Sequence, residues 1–174
     1  KRKIYSQGEF DGSCFLYSVA NAIRAATGKG ISRVDWQRAI EGMPFRTTEF
    51  LGGYGTGTLD RFPDALSVFA KSFARSLRST VAVETVPKLT PVDLDAGLGE
   101  GKVVIASIDA GDHWVVVLDV IDGVAFCACS WEANAGSSEY KELSTPNGHI
   151  YNMSRTVADL KLWKGPGFYL HRVQ

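Results

Sequence analysis

The chain has 174 residues, of which 45% are hydrophobic and 22% charged, so its length and composition are those of one globular domain. Its 19 basic and 19 acidic residues cancel, whereas nucleic-acid-binding domains usually carry a basic excess. No apolar run approaches the ~18 residues of a membrane-spanning helix. We therefore expect a single domain over residues 1–174, with neither nucleic acid nor a membrane among its partners.

The first half of the chain predicts helices. Apolar residues at helical spacing predict a first helix over Cys14–Thr27, which Gly28 ends. A second helix is expected from Ser32 to Gly42. After a glycine-rich loop at residues 51–57, a longer amphipathic helix is expected over Thr58–Leu77.

The second half predicts strands. They are expected at Val81–Val86, Val103–Ile108, Trp114–Ile121 and Val124–Ser130, near His149–Asn152 and near Phe168–His171, together forming an antiparallel sheet. Asp122-Gly123 between two apolar runs predicts a tight hairpin. Thr90-Pro91 predicts one short helix that ends at Gly99. Helices followed by strands indicate an α+β fold.

The three cysteines are Cys14, Cys127 and Cys129, an odd number that does not suit a disulfide framework. Cys127 and Cys129 would share one face of a strand, which disfavours a bond between them and suits two small core residues. Cysteine and histidine spacing matches no metal site, so we expect no metal and no cofactor. These features, with no apolar leader at the start, predict the cytoplasm or delivery into another reducing compartment.

Cys14 is the candidate nucleophile. It opens the first predicted helix directly after Gly12-Ser13, where backbone N–H groups and the helix dipole favour the thiolate. The alternative is a small buried residue that happens to begin a helix.

The surroundings of Cys14 resemble a known active site. Gln7-Gly8 and then Gly12-Ser13-Cys14-Phe15-Leu16-Tyr17-Ser18 are similar to the active-site segment of papain-like cysteine peptidases. The resemblance implies a papain-like fold in which Cys14 is the nucleophile at the start of the central helix. It also implies that the side chain of Gln7 donates to the oxyanion, although Gln7 precedes Cys14 by seven positions, one more than is usual in the family.

His113 is the candidate general base. Asp112-His113 stands at the start of a predicted strand, where papain-like enzymes place their catalytic histidine. The alternative is a histidine at a strand edge with a satisfied hydrogen bond. The other histidines, His149 and His171, lie in less patterned surroundings and are weaker candidates.

The third catalytic position departs from the family pattern. Papain-like enzymes carry Asn-Ser-Trp there, and the corresponding residues of this chain are Cys129-Ser130-Trp131. A thiol is a weak hydrogen-bond acceptor and therefore a poor group for orienting an imidazole. The resemblance implies that Trp131 shields this hydrogen bond from water, a role compatible with that of a core aromatic.

The predicted hairpin offers other partners for the His113 ring. A two-residue turn pairs His113 with Glu132 across the hairpin and puts Ser130 on the same face. We therefore predict Ser130 or Glu132 as the orienting residue, ahead of Cys129, with Asn134 as a further alternative.

The glycine-rich loop suggests how a substrate would bind. Gly52-Gly53 resembles a glycine pair of the family whose backbone binds an extended peptide by strand addition. Tyr54 and Trp114 are candidates for the border of that cleft. The alternative for the loop is a flexible connection without a binding role.

The resemblance implies a cysteine peptidase that cleaves peptide or protein substrates through an acyl-enzyme intermediate. The same machinery serves a deamidase or transglutaminase-like effector, and the unusual third position keeps open a catalytically inactive binding module of papain-like fold. The short chain without extra cysteines or a pro-segment suits a minimal bacterial effector. The sequence does not specify an oligomeric state.

Overall fold

The computed structural model describes residues 3–7, 13–42, 63–78, 80–99, 101–131 and 140–173. The predicted glycine-rich loop at 51–57, with Gly52, Gly53 and Tyr54, and the predicted helix start at Thr58 lie outside these residues.

Four α-helices form the described helical part: α1 Cys14–Thr27, α2 Arg33–Glu41, α3 Pro63–Leu77 and α4 Pro91–Gly97. The predicted end of α1 is confirmed, because Gly28 adopts φ 67°, a left-handed conformation that favours glycine. Ser32 caps α2 as predicted by accepting from the backbone N–H of Asp35 at 3.1 Å.

Helix α4 begins as predicted and ends earlier than predicted. Thr90 and Asp93 form a capping box before Pro91. The prediction that Gly99 ends this helix was wrong by two residues, because Gly99 is drawn into an antiparallel bridge with Lys102. The extended Leu98 is the transition between the helix and that bridge.

The strands are β1 Val81–Val86, β2 Lys102–Ile108, β3 His113–Ile121, β4 Val124–Ala128, β5 Leu143–Ser144, β6 Ile150–Tyr151, β7 Met153–Thr156 and β8 Gly167–Arg172. Six of them form a sheet in the order β1-β8-β2-β3-β4-β7, in which every pairing is antiparallel. The expected α+β fold with an antiparallel sheet in the C-terminal half is confirmed at this level. Some details differ from prediction: the strand near His149 pairs with β5 in a separate ribbon, β5 and β7 were missed, and β4 ends at Ala128 instead of Ser130.

The hairpin between β3 and β4 contains a β-bulge. Its turn is as predicted, with Asp122 and Gly123 both left-handed at φ 51° and 75°. The expected register holds as far as the pair Asp119 and Phe126, but the next pair is Val117 with Cys127. One additional residue of β3 is therefore accommodated at this point, and the pairing beyond it is displaced by one position.

The core occupies both faces of the sheet. One buried cluster lies between the sheet and helices α1 to α3; its largest members include Phe15, Phe69, Phe73, Trp114 and Phe168. The opposite cluster packs beneath α4; its members include Leu94, Val115, Val117, Cys127, Cys129 and Leu160. Because the inward face of α1 is buried across the centre of the sheet, the start of α1 is held at a fixed position relative to the strand ends.

Within the described part of the chain, no helix is both long enough and apolar enough to cross a membrane. The longest, α3, has 15 residues, fewer than the ~20 that a span requires.

Candidate active site

Cys14 is the first residue of α1 and is half-buried. Its position in the first helical turn exposes the thiol to the positive end of the helix dipole, which favours the thiolate. The first turn carries no acidic residue that would oppose this effect. Cys14, the candidate nucleophile, therefore lies at the start of a helix, as predicted.

The start of α1 lies against the start of β3. The rings of Phe15 and Trp114 meet edge to face, with centroids 5.0 Å apart. These aromatic residues directly follow Cys14 and His113 in the sequence. The contact therefore brings the segments that carry the two candidate catalytic residues to the same end of the sheet.

The imidazole of His113 is buried, at 6% exposure, and its partner is a thiol. Nε2 of His113 lies 3.2 Å from Sγ of Cys129, and that thiol donates to the carbonyl oxygen of Trp131 at 3.4 Å. With the S–H proton directed at the carbonyl, the sulfur acts as acceptor toward an Nε2–H group. The tautomer consistent with these contacts leaves Nδ1 unprotonated and able to accept a proton.

This arrangement corrects the expected ranking of partners for His113. Ser130 was predicted ahead of Cys129, but the side chain on the ring is that of Cys129. The physical reason is the β-bulge, which displaces the pairing by one residue and so exchanges the faces of Cys129 and Ser130 relative to His113. Glu132 and Asn134, the other predicted partners, lie outside the described residues.

Ser130 contacts Gln7 instead. Its hydroxyl donates to Oε1 of Gln7 at 2.7 Å, and the backbone N–H of Gln7 donates to the carbonyl of Ser130 at 3.0 Å. Because Oε1 is the acceptor in this contact, the donor end of the carboxamide, Nε2, lies on the side away from the Ser130 hydroxyl. This orientation is the one that the predicted oxyanion role of Gln7 requires.

Trp131 lies beside the imidazole, with the two ring centroids 6.0 Å apart and the planes tilted by 55°. The indole is 42% exposed, so it borders the site instead of belonging to the deep core. The indole therefore lies at the edge of the site, beside the ring of His113.

Asn152 is a supporting residue that the sequence did not reveal. Its side chain accepts from the backbone N–H of Cys129 at 2.8 Å and donates to the carbonyl of the same residue at 2.8 Å. Both ends of this buried carboxamide are thus satisfied, and they fix the segment that carries the thiol. Its position between two short strands is the only signal in the sequence, and that signal is too weak to identify such a role.

Burial lowers the pKa of His113 to about 4. Two nearby charges modify this effect: the carboxylate of Asp109 raises the pKa, and the guanidinium of Arg155 lowers it. At pH 7 the imidazole is therefore neutral and competent as a base.

The two deeper cysteines differ from Cys14. Cys127 and Cys129 are fully buried, and burial together with the neighbouring Cys129 raises the pKa of the Cys127 thiol. None of the three cysteines forms a disulfide. Cys14 alone combines partial exposure with a position at a helix start, and it is therefore the candidate for reaction with substrate.

A second histidine contact lies elsewhere on β3. The buried carboxylate of Asp119 receives hydrogen bonds from Thr145 Oγ1 at 2.5 Å, Asn147 Nδ2 at 2.8 Å and His149 Nδ1 at 2.9 Å. Burial acts to raise the pKa of Asp119, but these three hydrogen bonds outweigh it and hold the pKa below its usual range. His149 thus ties the turn at residues 145–149 to the sheet.

No group of three or more histidine, cysteine or acidic side chains suited to a metal ion occurs among the residues that the structure describes. The third histidine, His171, lies on β8 with Nδ1 3.8 Å from the carboxylate of Glu84.

Comparison with protein-family models gave no match, and comparison with curated proteins gave none either. The structure is that of an α+β protein in which three of the described helices precede an antiparallel sheet and the fourth, α4, lies between β1 and β2 in the chain.

Proposed function

We propose that this protein is a cysteine peptidase of papain-like fold that cleaves peptide bonds with Cys14 as nucleophile and His113 as general base. The observation that carries the proposal is the arrangement around the start of β3. A buried imidazole is held there through Nε2, and the next residue contacts the first turn of the helix that Cys14 opens.

In the proposed reaction, Nδ1 of His113 accepts the proton of the Cys14 thiol, and the thiolate attacks the peptide carbonyl carbon. The oxyanion is stabilised by the backbone N–H of Cys14 and by Nε2 of Gln7. Collapse breaks the C–N bond, with His113 returning its proton to the leaving amine. Water, deprotonated by His113, then hydrolyses the thioester and regenerates the thiol.

The low pKa of His113 affects the first step. With a pKa of about 4 the imidazole is neutral in the resting enzyme at pH 7. Proton transfer from Cys14 is then a step of the reaction, and the dipole of α1 stabilises the thiolate that forms.

The fold supports a papain-like architecture in three respects. The nucleophile candidate begins a helix whose inner face is buried against an antiparallel sheet. The base candidate begins a strand of that sheet, and its partner follows the next strand of the same hairpin. The Gln7 segment is hydrogen-bonded to the residue after that partner.

Alkylation of Cys14 by iodoacetamide at about pH 6 tests the proposal, because an ordinary thiol with a pKa near 8.5 reacts slowly there. The wild type should be labelled at Cys14 at least ~10-fold faster than His113→Ala. Cys14→Ser is the matched control and should remain unlabelled, because Cys127 and Cys129 are fully buried. Equal rates in the wild type and His113→Ala would overturn the proposed Cys–His pair.

The type of acyl transfer needs a second measurement. The wild type and Cys14→Ser are incubated with a denatured protein mixture, and the products are analysed by mass spectrometry. New peptide termini that require Cys14 support the peptidase. Side-chain mass changes without cleavage would replace it by the deamidase or transglutaminase-like alternative, and an unchanged mixture with an unreactive Cys14 would indicate a binding module.

A further inference from the structure

The turn that leads into His113 has a strained backbone. Asp109 and Ala110 adopt φ 53° and 63°, and Gly111 follows at 116°. Two successive non-glycine residues in the left-handed region are uncommon, and each costs on the order of 1 kcal/mol or more unless the surroundings enforce the conformation. The turn ends at Asp112, so any change in its path moves His113.

Contacts from the other end of the chain enforce this conformation. The backbone N–H of Ala110 donates to the carbonyl of Lys161 at 2.9 Å. The backbone N–H of Trp163 donates to the carbonyl oxygen of Ser107 at 2.9 Å. The Trp163 ring lies so close to Gly111 that a Cβ on residue 111 would be 3.3 Å from Cδ1 of the indole. The segment around residues 161–163 therefore holds the turn from one side.

An ion pair holds the turn at its first residue. Nη1 of Arg155 lies 2.9 and 3.2 Å from the two carboxylate oxygens of Asp109. Arg155 belongs to β7, which is paired with β4, so its position is fixed by the sheet. The side chains are 26% and 32% exposed, so the pair is partly screened by solvent and its charges act mainly on near neighbours.

We propose that the ion pair between Arg155 and Asp109 is a positioning device of the active site: its two charges balance each other beside the imidazole, on a strained turn that the contacts of residues 161–163 keep closed even without the pair. This inference rests on the proposed role of His113 as the base. Arg155 and Asp109 act through His113 and do not contact the substrate in this proposal.

The charges around His113 determine whether each substitution should raise or lower its pKa. Asp109 and Asp112 precede it in the turn, Arg155 faces it from β7, Cys129 contacts its ring, and Cys14 begins the adjacent helix α1. Removing the guanidinium leaves the negative charge of Asp109 unbalanced and favours the imidazolium. Removing the carboxylate leaves the positive charge of Arg155 unbalanced and disfavours it.

The test is an NMR titration of the His113 ring in the wild type, Arg155→Gln and Asp109→Asn. We expect the pKa of His113 to rise by roughly half a unit in Arg155→Gln and to fall by a similar amount in Asp109→Asn. Asparagine tolerates the left-handed conformation well, so Asp109→Asn removes the charge with little change in backbone preference. Arg38→Gln, which breaks an ion pair on α2, is the matched control and should leave the pKa unchanged.

A purely structural role of the ion pair would change the pKa of His113 in a different way. If the pair only prevented the turn from opening, both variants would expose the ring and raise the pKa of His113 toward 6.5. Shifts in the same direction, or no shift in either variant, would overturn the proposal. The titration does not depend on Cys14, so an unreactive Cys14 would refute the peptidase while leaving this result readable.

Discussion

Two histidines are held by side chains of the same sheet, but by partners of opposite strength. His113 contacts the thiol of Cys129, a weak acceptor, whereas His149 contacts the carboxylate of Asp119. The carboxylate has two further donors, Thr145 and Asn147, and forms a closed polar network. The thiol is kept in place mainly by Asn152, which bonds the backbone on both sides of it.

The difference separates a structural histidine from a candidate base. A carboxylate partner that also accepts from Thr145 and Asn147 binds the ring into the fold, as at His149. A buried ring with a weak partner stays neutral and holds a basic nitrogen, as at His113. The comparison therefore predicts that changes at the His113 pair alter reactivity, and that changes at the His149 pair alter stability.

The largest expected effect is on catalysis. His113→Gln removes the base and should lower the rate of Cys14-dependent peptide cleavage by roughly 10³-fold. His149→Gln should leave this rate within about twofold, because His149 belongs to the Asp119 network. Both rates are measured on the same peptide substrate. A comparable loss in both variants would remove the distinction between the two histidines.

The next effect is a pH dependence of stability. His113 has a pKa of about 4 when folded and 6.5 when unfolded, so the unfolded chain binds more protons between these values. Its contribution to stability is complete above about pH 6.5 and is lost as the pH falls toward 4, by up to ~3 kcal/mol. Urea unfolding at several pH values should show this loss in the wild type but not in His113→Gln.

Asp119 affects stability in a different pH range from His113. Its folded pKa is lowered below 3.8, so the stability that it contributes is lost only as the pH falls below that value. A loss of stability above pH 5 that persists in His113→Gln would contradict the assignment of that window to His113.

Asp119→Asn should destabilise the fold by roughly 2 kcal/mol, because an amide cannot accept from all three of the present donors. Urea unfolding at pH 7 measures this change. The rate of Cys14 alkylation in the folded variant should equal that of the wild type. A slower alkylation would mean that the two histidine pairs are coupled.

The smallest expected effect comes from strengthening the weak partner. Cys129→Ser supplies a better acceptor of similar size to Nε2 of His113, and it should raise the cleavage rate by a few-fold. Cys127→Ser is the matched control, because Cys127 is equally buried and lies on the same strand face. An equal change of rate in both variants would show that the effect is not transmitted through the ring.

Local chemistry made much of this structure predictable. The left-handed Gly28, the cap of α2 by Ser32 and the Asp122-Gly123 turn each depend on residues adjacent in sequence, and all were predicted. The position of Cys14 at a helix start follows from the same kind of signal.

The features that were missed depend on contacts between distant residues. The bulge in β3 changes which side chains share a face, and periodicity along the sequence does not reveal it. Asn152 and Arg155 both come from late in the chain, and Arg155 lies on β7, a strand that alternation did not predict. The partner of His113 was therefore misassigned even though the residue itself had been considered.

The bulge in β3 has a consequence for recognising related sequences. Cys129 follows His113 by 16 positions, an even interval. In a regular hairpin with a two-residue turn, side chains on a common face are separated by odd intervals, and one inserted residue converts these to even ones. Relatives that keep this site should therefore show either an even interval with a bulge or an odd interval without one. A single insertion or deletion in this hairpin is then tolerated only when it also adds or removes a bulge, or when a second one restores the parity.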